Sequence, residues 1–237
     1  MPATLVSAAR RLCRQVRSLS FGPPVAYVYN PLAYAWPLHE QYLKTWGRGT
    51  RRAVFLGMNP GPWGMAQTGV PFGEVAAVRD WLRLDAAVGR PEPEHPKRPV
   101  QGLACPRSEV SGARLWGLFA ARFGTPEAFF PDHFVANYCP LVFLEASGRN
   151  RTPDKLAPSE REALLGPCDD HLRTLCAVLR PRWLIGVGRF AADRARAALE
   201  GTGVEVVQIL HPSPASPLAN RGWADVVTRQ LQGLGIW

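Results

Sequence analysis

Four short apolar runs, separated by stretches with helical periodicity, constrain the fold of this 237-residue chain more than any other feature. The predicted strands cover residues 53–56, 134–136, 183–187 and 204–210, and the predicted helices cover residues 75–88, 113–123, 160–179 and 190–199. Strands that alternate with helices indicate a parallel sheet with helices on both faces. We therefore predict an α/β fold, a three-layer α/β/α sandwich with a four-stranded parallel central sheet, in a single domain spanning residues 1–237.

Polar or glycine-rich sequence follows each predicted strand. Asn59 follows the first strand, Asn137 ends the second, and His211 follows the fourth. Ligands of parallel α/β sheets bind beyond the carboxyl ends of the strands, so these side chains should meet at one edge. No pair of carboxylates occupies these strand ends, and the predicted chemistry therefore relies on amides, a histidine and backbone dipoles.

The loop after the first strand, GMNPGPWGMAQTGVPFG at residues 57–73, contains five glycines, three prolines and no charged residue. A nucleotide P-loop requires a lysine to neutralise phosphates and a Ser or Thr hydroxyl to hold magnesium. Because this loop has no lysine, a P-loop is excluded.

The turn after the third strand, Gly186-x-Gly188-x-x-Ala191, fits the G-x-G-x-x-[GA] pattern of dinucleotide-binding proteins. It follows the wrong strand for that fingerprint, which belongs to the first strand–helix turn. Tight strand-to-helix turns need glycine for steric reasons alone, and we favour this interpretation. A small-molecule nucleotide enzyme that uses this turn stays as an alternative.

The chain is basic, with a formal net charge of +9. Such an excess favours polyanions, and the guanidinium group of arginine suits phosphate. Lys97, Arg98 and Arg107 lie in a long proline-rich loop at residues 89–112. These side chains could meet phosphates or solvent, and nothing local decides between the two.

The five cysteines are scattered, and no C-x-x-C pair occurs. Their spacing supports neither a zinc site nor an iron–sulfur cluster, so we predict no metal and no cofactor. No apolar run approaches the ~20 residues that a membrane span needs, and we predict no membrane partner. The expected location is the cytoplasm of a bacterium, with the nucleoid, or the nucleus of a eukaryote.

Residues 1–20 are rich in arginine and serine and contain no acidic residue. This composition resembles that of a mitochondrial transit peptide, but apolar residues also recur at helical spacing. We predict a basic amphipathic helix that docks on the domain. Farther along, Ser159 followed by Glu162 predicts a capping box at the start of the third helix.

Several motifs together resemble one known family. Residues 57–62 and 67–73 resemble the first motif of the single-strand-selective monofunctional uracil-DNA glycosylases, and residues 211–214 and 219–223 resemble the second. Residues 21–31 and 137–141 match as well. The resemblance extends from about residue 20 to the C-terminus and implies a bacterial-type member with the uracil-DNA glycosylase fold.

The resemblance implies a role for each motif residue. Asn59 would position the attacking water, and His211 would lie near O2 of the uracil. Asn137 would read the edge of the base, Phe72 would stack on it, and Gly61 would leave room beside its C5 atom. The remaining residues expected to bind substrate or DNA are Met58, Ser213, Pro214, Ala215, Ser216, Asn220 and Arg221.

The implied activity is hydrolytic removal of uracil and oxidised 5-substituted uracils from single- and double-stranded DNA. It leaves an abasic site without strand cleavage, and the expected enzyme is a monomer. Ala215 and Ser216 stand where the family commonly has a larger Arg-Asn pair, which predicts a weaker dependence on duplex invasion and a lower affinity for the abasic product. The alternative is a non-catalytic protein that binds single-stranded or damaged DNA.

Overall fold

The computed structural model describes residues 3–237, so residues 1 and 2 of the predicted N-terminal helix lie outside the described residues. Helix α1 spans Leu5–Arg17. Its face with Leu5, Ala9, Leu12 and Val16 is buried, whereas its arginines are exposed. Among the described residues, no helix has both the length and the apolar character needed to cross a membrane.

The central sheet has four parallel strands. Numbered along the whole chain, they are β2 at Ala53–Gly57, β3 at His133–Asn137, β6 at Trp183–Val187 and β7 at Glu205–Ile209. Their order in the sheet is β3-β2-β6-β7. The two central strands are buried throughout, as expected for a sheet covered on both faces. All four strands match the predicted runs, and the predicted sheet is confirmed.

Helices flank the sheet in two layers. The further helices are α2 at Pro31–Tyr34, α3 at Trp36–Trp46, α4 at Met65–Thr68, α5 at Val110–Phe123, α6 at Pro126–Phe129, α7 at Pro158–Leu179, α8 at Arg189–Ala198 and α9 at Trp223–Gly233. Helix α7 packs between α1 and α8 on one face, and α5 packs with α6 and α9 on the other. The predicted three-layer sandwich is therefore confirmed.

A second, antiparallel sheet was not predicted. It consists of β1 at Val25–Tyr29, β4 at Val142–Glu145 and β5 at Asn150–Arg151, in the order β1-β4-β5. These strands are so short, and so close to prolines, that the alternation of apolar and polar residues typical of a strand is not visible in the sequence. The sheet matters because it brings the chain near residue 150 to the site described below.

Two local predictions were wrong. The predicted helix at residues 75–88 is reduced to one π-helical turn at Ala77–Trp81, after which Arg83 has a left-handed φ of 56°. The capping box predicted at Ser159 and Glu162 is also absent, because α7 begins earlier: its N-cap is Ala157, which has no side-chain acceptor, and Ala157 N donates to Glu160 Oε2 (3.3 Å). Pro158 begins this helix, a position where its missing N–H costs nothing.

Candidate active site

The carboxyl ends of the parallel strands border one open pocket. Most of the residues predicted to be functional line it, together with several that were not predicted. The lining residues are Met58, Asn59, Pro60, Gly61, Pro62, Phe72, Glu109, Ser111, Asn137, Asn150, Thr152, His211, Ser213, Pro214, Ala215 and Ser216. Residues 57–73 form one side, called the first loop below, and residues 211–221 form the second loop.

Asn59 is held by the backbone around it. Its Nδ2 donates to the carbonyl of Leu141 (3.2 Å) and, more weakly, to that of Pro60 (3.4 Å). Both bonds engage the amide nitrogen, so the amide offers its Oδ1 as an acceptor. An amide oxygen can orient a water molecule but cannot remove its proton.

Asn137 ends β3 and is fixed by a thioether. Its Nδ2 donates to Met65 Sδ (3.2 Å). Sulfur of methionine only accepts, so this contact determines which way the amide faces. A Cβ on Gly57 would lie 2.7 Å from Cζ of Phe72 and closer still to Oδ1 of Asn137, so only glycine lets both side chains meet here.

Phe72 has a left-handed backbone, with φ of 52°. A non-glycine residue in this region carries a cost on the order of 1 kcal/mol and persists only when its surroundings impose it. Here Nε1 of Trp116 donates to the Phe72 carbonyl (3.1 Å), and Gly112 lets helix α5 approach that carbonyl. The ring is 7% exposed, with its centroid 6.4 Å from that of His211, so it forms a fixed wall of the pocket.

His211 follows β7 and is held as the neutral Nε2–H tautomer. The backbone N–H of Ser213 donates to His211 Nδ1 (3.0 Å), which leaves Nε2 to carry the proton. Burial lowers the pKa of His211 to about 4, so the ring stays neutral at physiological pH. It therefore presents one uncharged donor to the pocket.

The Gly186–Gly188 turn is filled by protein. A Cβ on Gly186 would lie 2.5 Å from Cα of Ala192, and one on Gly188 would lie 3.1 Å from Cβ of His211. Gly188 also has φ of +90°. These glycines permit helix α8 and the catalytic candidate His211 to pack closely, which supports the steric interpretation over nucleotide binding.

Glu109 is a carboxyl group in the pocket that the sequence reasoning missed. It immediately precedes helix α5, and its carboxyl occupies the space where Cβ atoms of Gly61 and Gly64 would lie. Burial first, and the charge of Glu74 second, raise the pKa of Glu109 to about 7. The reasoning considered only strand ends, whereas Glu109 comes from the proline-rich loop, where no local signal marks it.

Other unpredicted lining residues are polar and uncharged. Asn150 comes from the antiparallel sheet, and its Oδ1 is buried without a hydrogen-bond partner in the described part of the chain. Ser111 and Thr152 line the same pocket. Across residues 3–237, no group of three or more His, Cys, Asp or Glu side chains could hold a metal ion.

The second loop is stabilised by its own hydrogen bonds and by one arginine of α5. Arg114 donates to the carbonyl of Pro212 (3.0 Å) and to Oδ1 of Asn220 (2.9 Å). Asn220 in turn donates to the carbonyl of Pro214 (2.9 Å). Asn220 and Arg221 are exposed, but they do not line the pocket, and the amide of Asn220 serves the loop itself.

Comparison with known proteins agrees with this arrangement. A model of the uracil DNA glycosylase superfamily matches residues 46–229. The chain belongs to the uracil DNA glycosylase superfamily. The match covers the whole central sheet and both loops of the pocket.

Relatives in this superfamily are similar over nearly the full chain. The single-strand selective monofunctional uracil DNA glycosylase of Bos taurus is 53% identical over 228 residues, covering 95% of this chain and 84% of that protein. The corresponding Rattus norvegicus protein is 52% identical, covering 95% and 82%. The crystal structure of wild-type Pedobacter heparinus SMUG2 has a TM-score of 0.68 at 16% identity, covering 96% and 97%, and supports the fold alone.

Proposed function

We propose that this protein is a monofunctional uracil-DNA glycosylase that hydrolyses the bond between uracil and deoxyribose and leaves an abasic site. The observation that carries the proposal is the shared pocket of Asn59 and His211, in which one amide oxygen accepts and one neutral imidazole donates. The relatives named for this activity are similar over 95% of the chain. The substrate is DNA.

The chemistry follows from charge. Breaking the N1–C1′ bond leaves positive charge on the sugar and negative charge on the departing uracil. A donor such as Nε2–H of His211, aimed at O2, stabilises that anion, and removal of one such donor costs on the order of 10²–10³ in rate. Asn59 would hold a water that adds its hydroxyl to C1′, while the proton passes to the uracil. Because Asn59 is no base, bond breaking precedes attack.

Base recognition would rest on Asn137 and Phe72. The amide of Asn137, oriented by Met65, offers a donor and an acceptor for O4 and N3–H of uracil. The ring of Phe72 supplies a stacking surface. No lysine lines the pocket, so no Schiff base and no strand cleavage are expected.

We extend the proposal to oxidised 5-substituted uracils such as 5-hydroxymethyluracil, in single- and double-stranded DNA. The carboxyl of Glu109 lies against Gly61, the residue expected beside C5 of the base, and a carboxyl suits a hydroxyl substituent. The proposed enzyme acts as a monomer, in the cytoplasm of a bacterium or in the nucleus of a eukaryote. A panel of oligonucleotides with single lesions, in both strand states, tests these points.

Uracil release from labelled oligonucleotides tests the central proposal. We expect the Asn59→Ala and His211→Ala variants to lose on the order of 10²-fold or more in rate while still binding DNA. Full activity in both variants would remove the mechanism. Absence of release by the wild-type protein, with DNA binding intact, would favour a non-catalytic binder of single-stranded or damaged DNA.

A further inference from the structure

Two arginines converge on one tryptophan at the rim of the pocket. The guanidinium carbon of Arg107 lies 4.4 Å from the ring centroid of Trp63, and that of Arg98 lies 5.3 Å from the same centroid. Trp63 directly follows Pro62, which lines the pocket. Both arginines belong to the proline-rich loop whose role the sequence left open.

This convergence is built by a buried amide. Gln67 is fully buried, and its Nε2 donates to the carbonyls of Pro62 and Pro99, each at 3.0 Å. Its Oε1 accepts from the backbone of Gln101 (2.8 Å). Pro62 precedes Trp63 and Pro99 follows Arg98, so Gln67 sets the spacing between the indole and the guanidinium.

No carboxylate neutralises this cluster. Among residues 3–237, neither Arg98 nor Arg107 takes part in a salt bridge. The Glu94 carboxylate accepts from the backbone of Val100 (2.8 Å). Glu109 is close in sequence, but its carboxyl packs against Gly61 and Gly64 and forms no salt bridge with either arginine among the described residues. The Nε of Arg98 is also buried without a hydrogen-bond partner in the described residues.

Two cations held on one indole repel each other, and an anion between them removes that repulsion. A guanidinium fork matches the oxygens of a phosphate, and stacking on an aromatic ring fixes the plane of the fork. The second loop also lines the pocket, so a DNA strand that enters the pocket would pass close to both. Resting on the proposed function, we propose that Trp63, Arg98 and Arg107 form an arginine lip that binds DNA phosphates beside the excised nucleotide.

The salt dependence of DNA affinity tests this lip. The probe is an oligonucleotide with a tetrahydrofuran abasic analogue, single-stranded or paired, titrated by fluorescence anisotropy over a range of salt concentrations. Each phosphate contact that is lost reduces the slope of log K against log salt by about 0.9 for duplex and about 0.7 for single strands. We expect that reduction in Arg98→Gln and in Arg107→Gln, with affinity about tenfold lower for each.

Arg182→Gln is the matched control. Arg182 is also stacked on a tryptophan, 4.2 Å from the centroid of Trp183, but it is paired with Glu205 (3.1 Å) and precedes β6, so it lies at the opposite edge of the sheet. The Arg182→Gln variant loses the same charge as the lip variants but far from the pocket, so its slope of log K against log salt should equal that of the wild type. Unchanged slopes in both lip variants, or an equal reduction in Arg182→Gln, would overturn the proposal.

Uracil release by the wild-type protein is measured in parallel. If release fails while the lip variants lower the slope, the lip stands and the proposed catalytic function falls. If the wild-type protein releases uracil while the slopes of both lip variants are unchanged, the proposed catalytic function stands and the arginine lip is wrong. Thermal unfolding of each variant tests whether the fold is intact, and the largest change in stability is expected for Arg98→Gln, because the Nε of Arg98 is buried.

Discussion

The two loops beside the pocket differ in how they are held. The first loop is largely buried, and its residues contact β3, the proline-rich loop and helix α5 through glycines that have no room for a Cβ. The second loop is mostly exposed beyond His211, and Arg114 is its main link to the sheet layers. The comparison teaches that the groups proposed for chemistry, including His211 at the start of the second loop, are fixed before substrate arrives, whereas the residues proposed to meet the DNA remain accessible.

Disturbing the first loop should have the largest effect. In Gly57→Ala, the new methyl group would overlap Phe72 and Asn137, and misplacement of a reacting group by about 1 Å costs on the order of 10²-fold in rate. We expect such a loss in single-turnover uracil release, on single strands and duplex alike. Gly117→Ala, where a Cβ meets nothing within 4 Å, is the control and should leave the rate unchanged. Equal rates in the two variants would contradict the view of a fixed first loop.

Glu109 links the first loop to pH. Its pKa of about 7 means that the carboxyl is protonated in acid and charged above neutrality, where it opposes an anionic leaving group. We expect the single-turnover rate of the wild type to fall by up to tenfold per pH unit above about pH 7. The Glu109→Gln variant should not show this decrease at high pH. If the decrease in rate above pH 7 persists in Glu109→Gln, a group other than Glu109 causes it.

Glu109 should also make the free energy of unfolding fall as the pH rises. The folded-state pKa of Glu109 exceeds its ordinary value of 4.5 because the charged carboxylate is disfavoured in the folded protein. The contribution of Glu109 to the free energy of unfolding is therefore fully present below pH 4.5, and it is lost as the pH rises through about 7. We expect about 1–3 kcal/mol of unfolding free energy to be lost across that window in the wild type relative to Glu109→Gln. Urea unfolding at several pH values measures it, and parallel curves for the two proteins would refute the assignment.

The second loop should show smaller effects that depend on the DNA. Leu218 is 63% exposed on this loop, and apolar side chains of this kind enter between base steps of a duplex. We expect Leu218→Ala to lower uracil release from duplex by about three- to tenfold and to spare single strands, which need no unstacking. Leu234→Ala removes an exposed leucine (42%) at the end of α9 and is the control. An equal loss on both substrates would argue against insertion.

Ala215→Arg should have the smallest effect. A larger side chain at this exposed position would fill more of the space that a flipped base vacates, and would hold the abasic product longer. We expect steady-state turnover on duplex to slow by roughly two- to threefold, with the single-turnover rate unchanged. Unchanged steady-state kinetics would show that residue 215 does not contact the product.

The sequence predicted the parallel sheet and the meeting of Asn59, Asn137 and His211, because strand ends and motif order are local signals. It did not predict Glu109, Gln67 or Met65, whose roles arise from contacts between segments far apart in the chain. The antiparallel sheet escaped notice because its strands are short and lie next to prolines. The π-helical turn at Ala77–Trp81 is a further case in which local sequence was not enough. The apolar periodicity favoured a helix over residues 75–88, but tertiary packing allows only this turn.

The contact between Asn137 and Met65 would make the proposed base selection sensitive to oxidation. Oxidation of Met65 to the sulfoxide would replace a soft acceptor with a bulky, strongly polar S=O group against the amide that is proposed to read the base. Met65 as a whole is 3% exposed, so its side chain is shielded from oxidants in the folded protein. The fidelity of a protein proposed to remove oxidised bases would thus depend on keeping one of its own atoms reduced, and on the rarity of the local opening that exposes it.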